Sequence, residues 1–228
     1  MSAVPRGYFV TGTDTGIGKT RVSLGLMARL QGLGLRVAGM KPVASGCEAG
    51  AEGLVNADAD ALRAQASIEL PYQWVNPYAF APAVAPHLAA EEAGVEISLA
   101  RIDRCFRQLV AEVDAAVVEG VGGWLVPLNR RYTVADLAGV LGLPVILVVG
   151  IRLGCLNHAL LTVADIERRK LPLAGWVANH LEPETAWAMG NVASLGERVA
   201  APLLGRVPYL VAPQAAAIGG CLNLGWPV

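Results

Sequence analysis

Short, almost wholly apolar runs recur between segments of helical spacing, and this alternation limits most strongly what the chain can fold into. YFVTG (8–12), DAAVVEGVGG (114–123), PVILVVG (144–150) and LAGWVANH (173–180) are rich in β-branched residues and end in glycine or polar residues. Strands that are apolar along their whole length are buried on both faces, as in a parallel sheet covered by helices on each side. A composition of 54% apolar and 16% charged residues suits such a sheet. Between the runs, KTRVSLGLMARLQGLG (19–34) sets Val22, Leu26, Met27 and Leu30 on one helical face. Residues 98–112 align Leu99, Ile102, Phe106 and Leu109, and 58–67 and TVADLAGVLG (133–142) also have helical spacing. LNHALLTVADIERRK (156–170) is a helix with basic residues in its last turn, where the helix dipole favours them. RVAGMKPVAS (36–45) reads as a further strand running into a proline-bearing loop. The pattern predicts an α/β fold: a mainly parallel sheet with right-handed crossovers and helices on both faces, in a single domain over 1–228.

In a sheet of this kind, ligands sit beyond the carboxyl ends of the strands. The first such end carries VTGTDTGIGKT (10–20). A strand, a glycine-rich turn and Gly-Lys-Thr opening a helix form the context of a phosphate-binding loop, which makes the fold one of the P-loop NTPase type. Successive backbone N–H groups and the helix N-terminus bind phosphate oxygens, Lys19 supplies a point charge and the Thr20 hydroxyl is a magnesium ligand. The spacing is unusual, because Gly12 falls one residue too early and Thr13 stands where the first glycine belongs.

Other residues gather at the same edge. Glu119 ends its strand where magnesium needs a carboxylate, and Asp58 and Asp60 are candidates for a further ligand or for capping the helix that starts there. Lys41, between a strand and a proline, is a second cation able to neutralise transferring phosphate. His87, His158 and His180 show no metal-ligand spacing, and no nucleophilic triad is present. The tryptophans and tyrosines read as core or interface. The small, glycine-rich stretch 44–57 reads as an active-site loop. With 18 basic and 19 acidic residues the chain has no field to hold nucleic acid or an anionic membrane. No apolar run is long enough to span a bilayer, and the first residues do not form a signal peptide. Cys47, Cys105, Cys155 and Cys221 are widely separated and read as reduced thiols of a cytoplasmic protein.

GTDTxxGKT, KPVASG, VNPY, EGxGGW, PVILVVG, LGCxNHA and GWVAN follow in this order, and APLLGRVP (201–208) closes the series. Together they resemble the dethiobiotin synthetase family, whose loop carries Gly-Thr-Asp-Thr where other proteins place a single glycine. The resemblance implies a ligase of biotin synthesis that takes 7,8-diaminopelargonate, carbon dioxide and MgATP to dethiobiotin through a carbamate and a carbamic–phosphoric mixed anhydride. It implies ATP binding by Asp14, Thr15, Gly16, Ile17, Gly18, Lys19, Thr20, Asp58, Glu119 and Asn179, with Pro208 near the adenine. Thr20, Asp58 and Glu119 would hold Mg2+, Asp58 being favoured over Asp60 because it keeps an ungapped register between KPVASG and VNPY. Lys19, Lys41 and Thr15 would be catalytic, and Thr15, Lys41, Ser45, Gly122, Gly154 and Asn157 would contact the diamine. The family is a homodimer that holds the distal carboxylate of the substrate at the start of a helix, here Gly154 to Asn157. In the matching positions Gly16 stands where other members carry an acid, and Arg152 where a lysine is common. The segment 181–200 matches poorly.

Two other classes fit a phosphate loop on this sheet. A nucleotide-switched, partner-binding ATPase of the partitioning type usually carries a lysine early in the loop, and none lies between Gly12 and Lys19. Such proteins often end in a basic or amphipathic tail, whereas IGGCLNLGWPV (218–228) is uncharged. A small-molecule kinase would differ in releasing a stable phosphorylated product.

Overall fold

The structure, a computed structural model, describes residues 7–51, 53–183 and 185–224. The elements run β1 (Gly7–Gly12), α1 (Lys19–Gln31), β2 (Val37–Met40), β3 (Val43–Ser45), β4 (Glu48–Gly50), β5 (Gly53–Val55), α2 (Ala57–Gln65), α3 (Tyr72–Val75) and β6 (Tyr78–Phe80). They continue α4 (Pro86–Glu92), α5 (Leu99–Ala111), β7 (Ala115–Glu119), α6 (Val134–Leu141), β8 (Val145–Ile151) and α7 (Cys155–Arg168). The last are β9 (Leu173–His180), α8 (Ala186–Gly196), β10 (Leu203–Val207) and α9 (Ala215–Gly220).

Six strands form one sheet in the order β10-β9-β8-β1-β7-β2, and every neighbouring pair is parallel. The continuous apolar runs resolve into two faces with the period of a strand. Tyr8, Val10, Ala115, Val117, Ile146 and Val148 pack with α1, α2 and α9 residues such as Leu26, Leu62 and Ile218. Their neighbours Phe9, Ala116 and Val118 face α5 and α6 through Ile102, Leu109 and Leu137. Leu147, Val149, Trp176 and Ala178 cover α7 and α8. Both faces are therefore dry, which is why these strands show no polar alternation. No described helix is long and apolar enough to cross a membrane.

The structure corrects three details of the sequence reading. The strand expected over 36–45 breaks at Lys41-Pro42, and β3 leaves the main sheet to pair with β6. The loop expected over 44–57 contains an antiparallel hairpin, β4 with β5. Asp58 and Asp60 do not cap α2; Asn56 does, its side chain accepting from the N–H groups of Asp58 and Ala59.

Register places the chemistry. β1 lies between β7 and β8, with Val10 level with Glu119 and Ile146. Met40 of β2 is level with Val118, so Lys41 follows it to the height of Glu119. On the other side, Gly150 is level with Asn179 at the end of β9.

Candidate active site

A cavity of about 1050 Å³ opens at this edge of the sheet. Thr15, Gly16, Gly18, Lys19, Thr20, Lys41, Ser45, Asp58, Glu119, Gly122 and Asn179 all line it, so residues from 15 to 179 converge on one space.

Its floor is the loop between β1 and α1. Gly18 caps α1 in the left-handed conformation, with φ of 88°. The Ile17 side chain is fully buried and fills the space beside Gly12 and Gly150, so it anchors the loop and turns away from the cavity. The Asn179 amide, itself buried, donates to the Ile17 carbonyl at 2.7 Å. That bond leaves the Asn179 side-chain oxygen free to accept. A Cβ at Gly18 would lie 2.2 Å from Asn179 Nδ2 on a backbone that L side chains rarely adopt. Gly18→Ala is therefore expected to dislodge Asn179, cost about 1–3 kcal/mol in backbone strain and raise the KM for nucleotide with little loss of fold. Steady-state kinetics and a melting curve check both parts.

Two ammonium groups stand at the phosphate end. Lys19, 6% exposed, donates from Nζ to the Asp14 carbonyl at 2.7 Å. Burial, reinforced by the positive charge of Lys41, lowers its pKa to about 8, against the opposing pull of Glu119, Asp58 and Asp14. Lys41 has no such freedom. Its Nζ donates to Glu119 Oε1 at 2.5 Å and to Asp58 Oδ2 at 3.0 Å. Burial pulls its pKa down, but the two carboxylates outweigh that and hold it above the ordinary lysine value. Burial pushes Asp58 up, and the pairing with Lys41 overrides it, leaving the carboxyl below its usual value. Thr20 Oγ1 donates to Glu119 Oε1 at 2.9 Å. The second Glu119 oxygen, Oε2, is buried without a hydrogen-bond partner among the described residues. An orphaned carboxylate oxygen beside a hydroxyl and a second carboxylate is a donor set that suits a hard cation.

The Lys19 pKa gives a signed prediction. A bound triphosphate favours the ammonium form and raises that pKa, so binding near pH 8 takes up a fraction of a proton. Affinity is accordingly expected to fall as pH rises through 8. Calorimetry in buffers of different ionisation enthalpy measures the uptake, and a Lys19→Met variant should abolish it.

Not every expected residue reaches the cavity wall. Asp14 faces a separate groove, where its carboxylate pairs with Arg152 at the end of β8. Pro208 stays off the wall, but its neighbour Tyr209 lines it. Gly154 and Asn157, at the exposed start of α7, do not line the cavity of their own chain. Asp60 opens instead onto a surface depression beside Arg63. The sequence reading also missed wall residues: Arg21, Asn56, the Ala83–Pro86 turn, Val126 and Tyr209. Of these, only Asn56 carried a signal, a helix-capping residue two positions before Asp58.

Comparison with known proteins places this geometry. A family model described as an AAA domain matches residues 6–216. The ATP-dependent dethiobiotin synthetase BioD of Pseudomonas paraeruginosa is 55% identical over 95% of this chain and 96% of its own length. That of Aromatoleum aromaticum is 50% identical over 96% and 98%. Among solved structures, MinD of Pyrococcus horikoshii with Mg-ADP superposes with a TM-score of 0.57 over 95% of this chain and 86% of its own, at 15% identity. A ParA family ATPase of Chlorobium tepidum gives 0.56 over 96% and 91%, at 12% identity. At such identities the structural likeness speaks for the fold alone, whereas the curated relatives share about half of all positions over 95–96% of this chain. The chain belongs to the ATP-dependent dethiobiotin synthetases.

Proposed function

We propose that the chain joins carbon dioxide to 7,8-diaminopelargonate at the expense of ATP, yielding dethiobiotin, ADP and phosphate. The observation that carries this reading is the pair of buried ammonium groups, Lys19 and Lys41, on one cavity wall with Ser45 and Gly122. Together with family membership, it supports a site for a triphosphate and an anionic nucleophile side by side.

One amine of the diamine adds to carbon dioxide and loses a proton, forming a carbamate. A carbamate oxygen attacks the γ-phosphorus and ADP leaves. The second amine then attacks the carbonyl carbon of the mixed anhydride, the ureido ring closes and phosphate departs with the oxygen it was joined to. An anion attacking an anion is disfavoured until charge is neutralised and the partners are held in line. In this reading Lys19 neutralises the transferring phosphoryl group, and Lys41, fixed between Glu119 and Asp58, holds the carbamate end. Thr15 and Ser45 orient the diamine with the Gly122 backbone. Asn179, with its amide spent on the Ile17 carbonyl, keeps an oxygen to accept from the adenine amino group, with Pro208 and Tyr209 beside it. Thr20, Asp58 and Glu119 would hold Mg2+, which when bound offsets the phosphate charge. The chain acts as a single 1–228 unit in the cytoplasm, as a homodimer in which Gly154 and Asn157 receive the distal carboxylate through helix N-terminal N–H groups.

The test is to incubate the purified protein with the diamine, bicarbonate and MgATP alone. Dethiobiotin by mass, with one ADP per product, is the expected result. ADP release indifferent to the diamine, with no dethiobiotin, would overturn the reading.

A further inference from the structure

Two residues beyond Gly122, the loop after β7 turns inward at Trp124, which is 3% exposed. A buried indole N–H must find an acceptor, and Trp124 Nε1 donates to Asp165 Oδ2 on α7 at 2.9 Å. Asp165 is itself held: Arg169 donates to the same oxygen at 2.7 Å, and Arg168 to Oδ1 at 2.6 Å and 3.0 Å. Arg169 turns its other end to Asp136 Oδ1, and Asp136 Oδ2 accepts from the backbone and hydroxyl of Thr133 at 2.7 Å. One ionic network thus grips the loop at Trp124 and again at Thr133.

On either side of the first grip the loop borders the site: Gly122, before Trp124, and Val126, after it, both line the cavity. A Cβ at Gly122 would lie 2.9 Å from Val126 Cγ2 and 3.6 Å from Thr15 Oγ1, and one at Gly123 would lie 3.5 Å from the Thr13 carbonyl. The Val126 carbonyl is tied in turn to the Val134 N–H at 3.0 Å. The backbone directly before Trp124 thus lies within reach of one added side-chain atom from Thr15 and the Thr13 carbonyl. Asp165 does not line the cavity; its bond to Trp124 links it to the backbone of Gly122, which does.

We propose that Asp165 is a positioning residue for the diamine half of the site, acting through Trp124 on the Gly122–Gly123 backbone. The proposal rests on the reaction assigned above. Loosening the grip displaces Gly122 relative to Thr15 and leaves the nucleotide half, built from Gly18, Lys19 and Asn179, in place.

The experiment measures kcat and both KM values for wild type, Trp124→Phe, Asp165→Ala and the double variant, by dethiobiotin formation. Trp124→Phe stays aromatic, removes the N–H together with the pyrrole part of the indole and leaves the pairs of Asp165 with Arg168 and Arg169 intact, so it reports even where Asp165→Ala folds poorly. The expected result is a diamine KM raised about tenfold in each single variant, short of the ~100-fold cost of a full ångström of misplacement. The ATP KM should stay within about twofold, and the double variant should be no worse than either single one, as expected of one shared interaction. An unchanged diamine KM, equal movement of both KM values, or effects that multiply in the double variant would overturn the proposal. Product absent already from wild type would instead overturn the reaction assignment, and this role with it.

Discussion

Lys19→Ala is expected to lower kcat/KM about 1000-fold, the upper range for losing one preorganised group that meets transition-state charge. Burial beside Lys41 lowers the pKa of the Lys19 ammonium to about 8, so at neutral pH its charge costs the fold stability despite the bond to the Asp14 carbonyl. Truncation should therefore leave the melting temperature unchanged or slightly raised. A variant that loses activity because it unfolds would contradict this account, so both quantities need measuring on one preparation.

Lys41→Met should have the opposite profile, abolishing activity and destabilising the fold together. Lys41 is the partner of Glu119, whose side chain is fully buried, and removing it leaves that carboxylate uncompensated. Breaking a buried pair from one side costs about 3–5 kcal/mol, which for a chain of this size lowers Tm by about 10 °C. Adding Glu119→Gln removes the stranded charge, so the double variant should recover most of the stability. It should recover none of the turnover, because both groups are assigned to the reaction. Thermal melts and dethiobiotin assays on the two single variants and the double variant separate the structural role from the chemical one. A double variant as unstable as Lys41→Met would show that the pair is not what holds this corner.

What the sequence made legible follows from the range of the interactions involved. The long buried strands 144–150 and 173–180 and the phosphate loop are written in contiguous residues, and they appear as β8, β9 and the turn into α1. The three-residue strands β3 to β6 are too short to show a period, so the hairpin inside 44–57 was read as loop. The break at Lys41-Pro42 has a local cause, since proline cannot donate to a ladder, yet only the pairing of Val43 with Tyr78 shows where the chain goes next. By residue type Asp58 and Asp60 look alike, and only the register of the resemblance favours Asp58; the cap at Asn56 sets the helix phase that turns Asp58 to Lys41 and Asp60 away. The pairing of Asp14 with Arg152 and of Trp124 with Asp165 joins residues far apart in the chain, and no spacing rule could reveal either. Arg152 is engaged by the phosphate loop itself, through Asp14.

In the proposed reaction the phosphoryl group is transferred to a carbamate oxygen derived from carbon dioxide. The most direct test supplies carbon dioxide labelled with 18O at both oxygens, together with diamine and MgATP in unlabelled water. Reaction times are kept short enough that the label has not exchanged with the solvent. One labelled oxygen in the released phosphate and one in the ureido carbonyl of dethiobiotin is the predicted result. Unlabelled phosphate formed alongside labelled dethiobiotin would contradict it, because ring closure would then have proceeded without a carbamic–phosphoric anhydride.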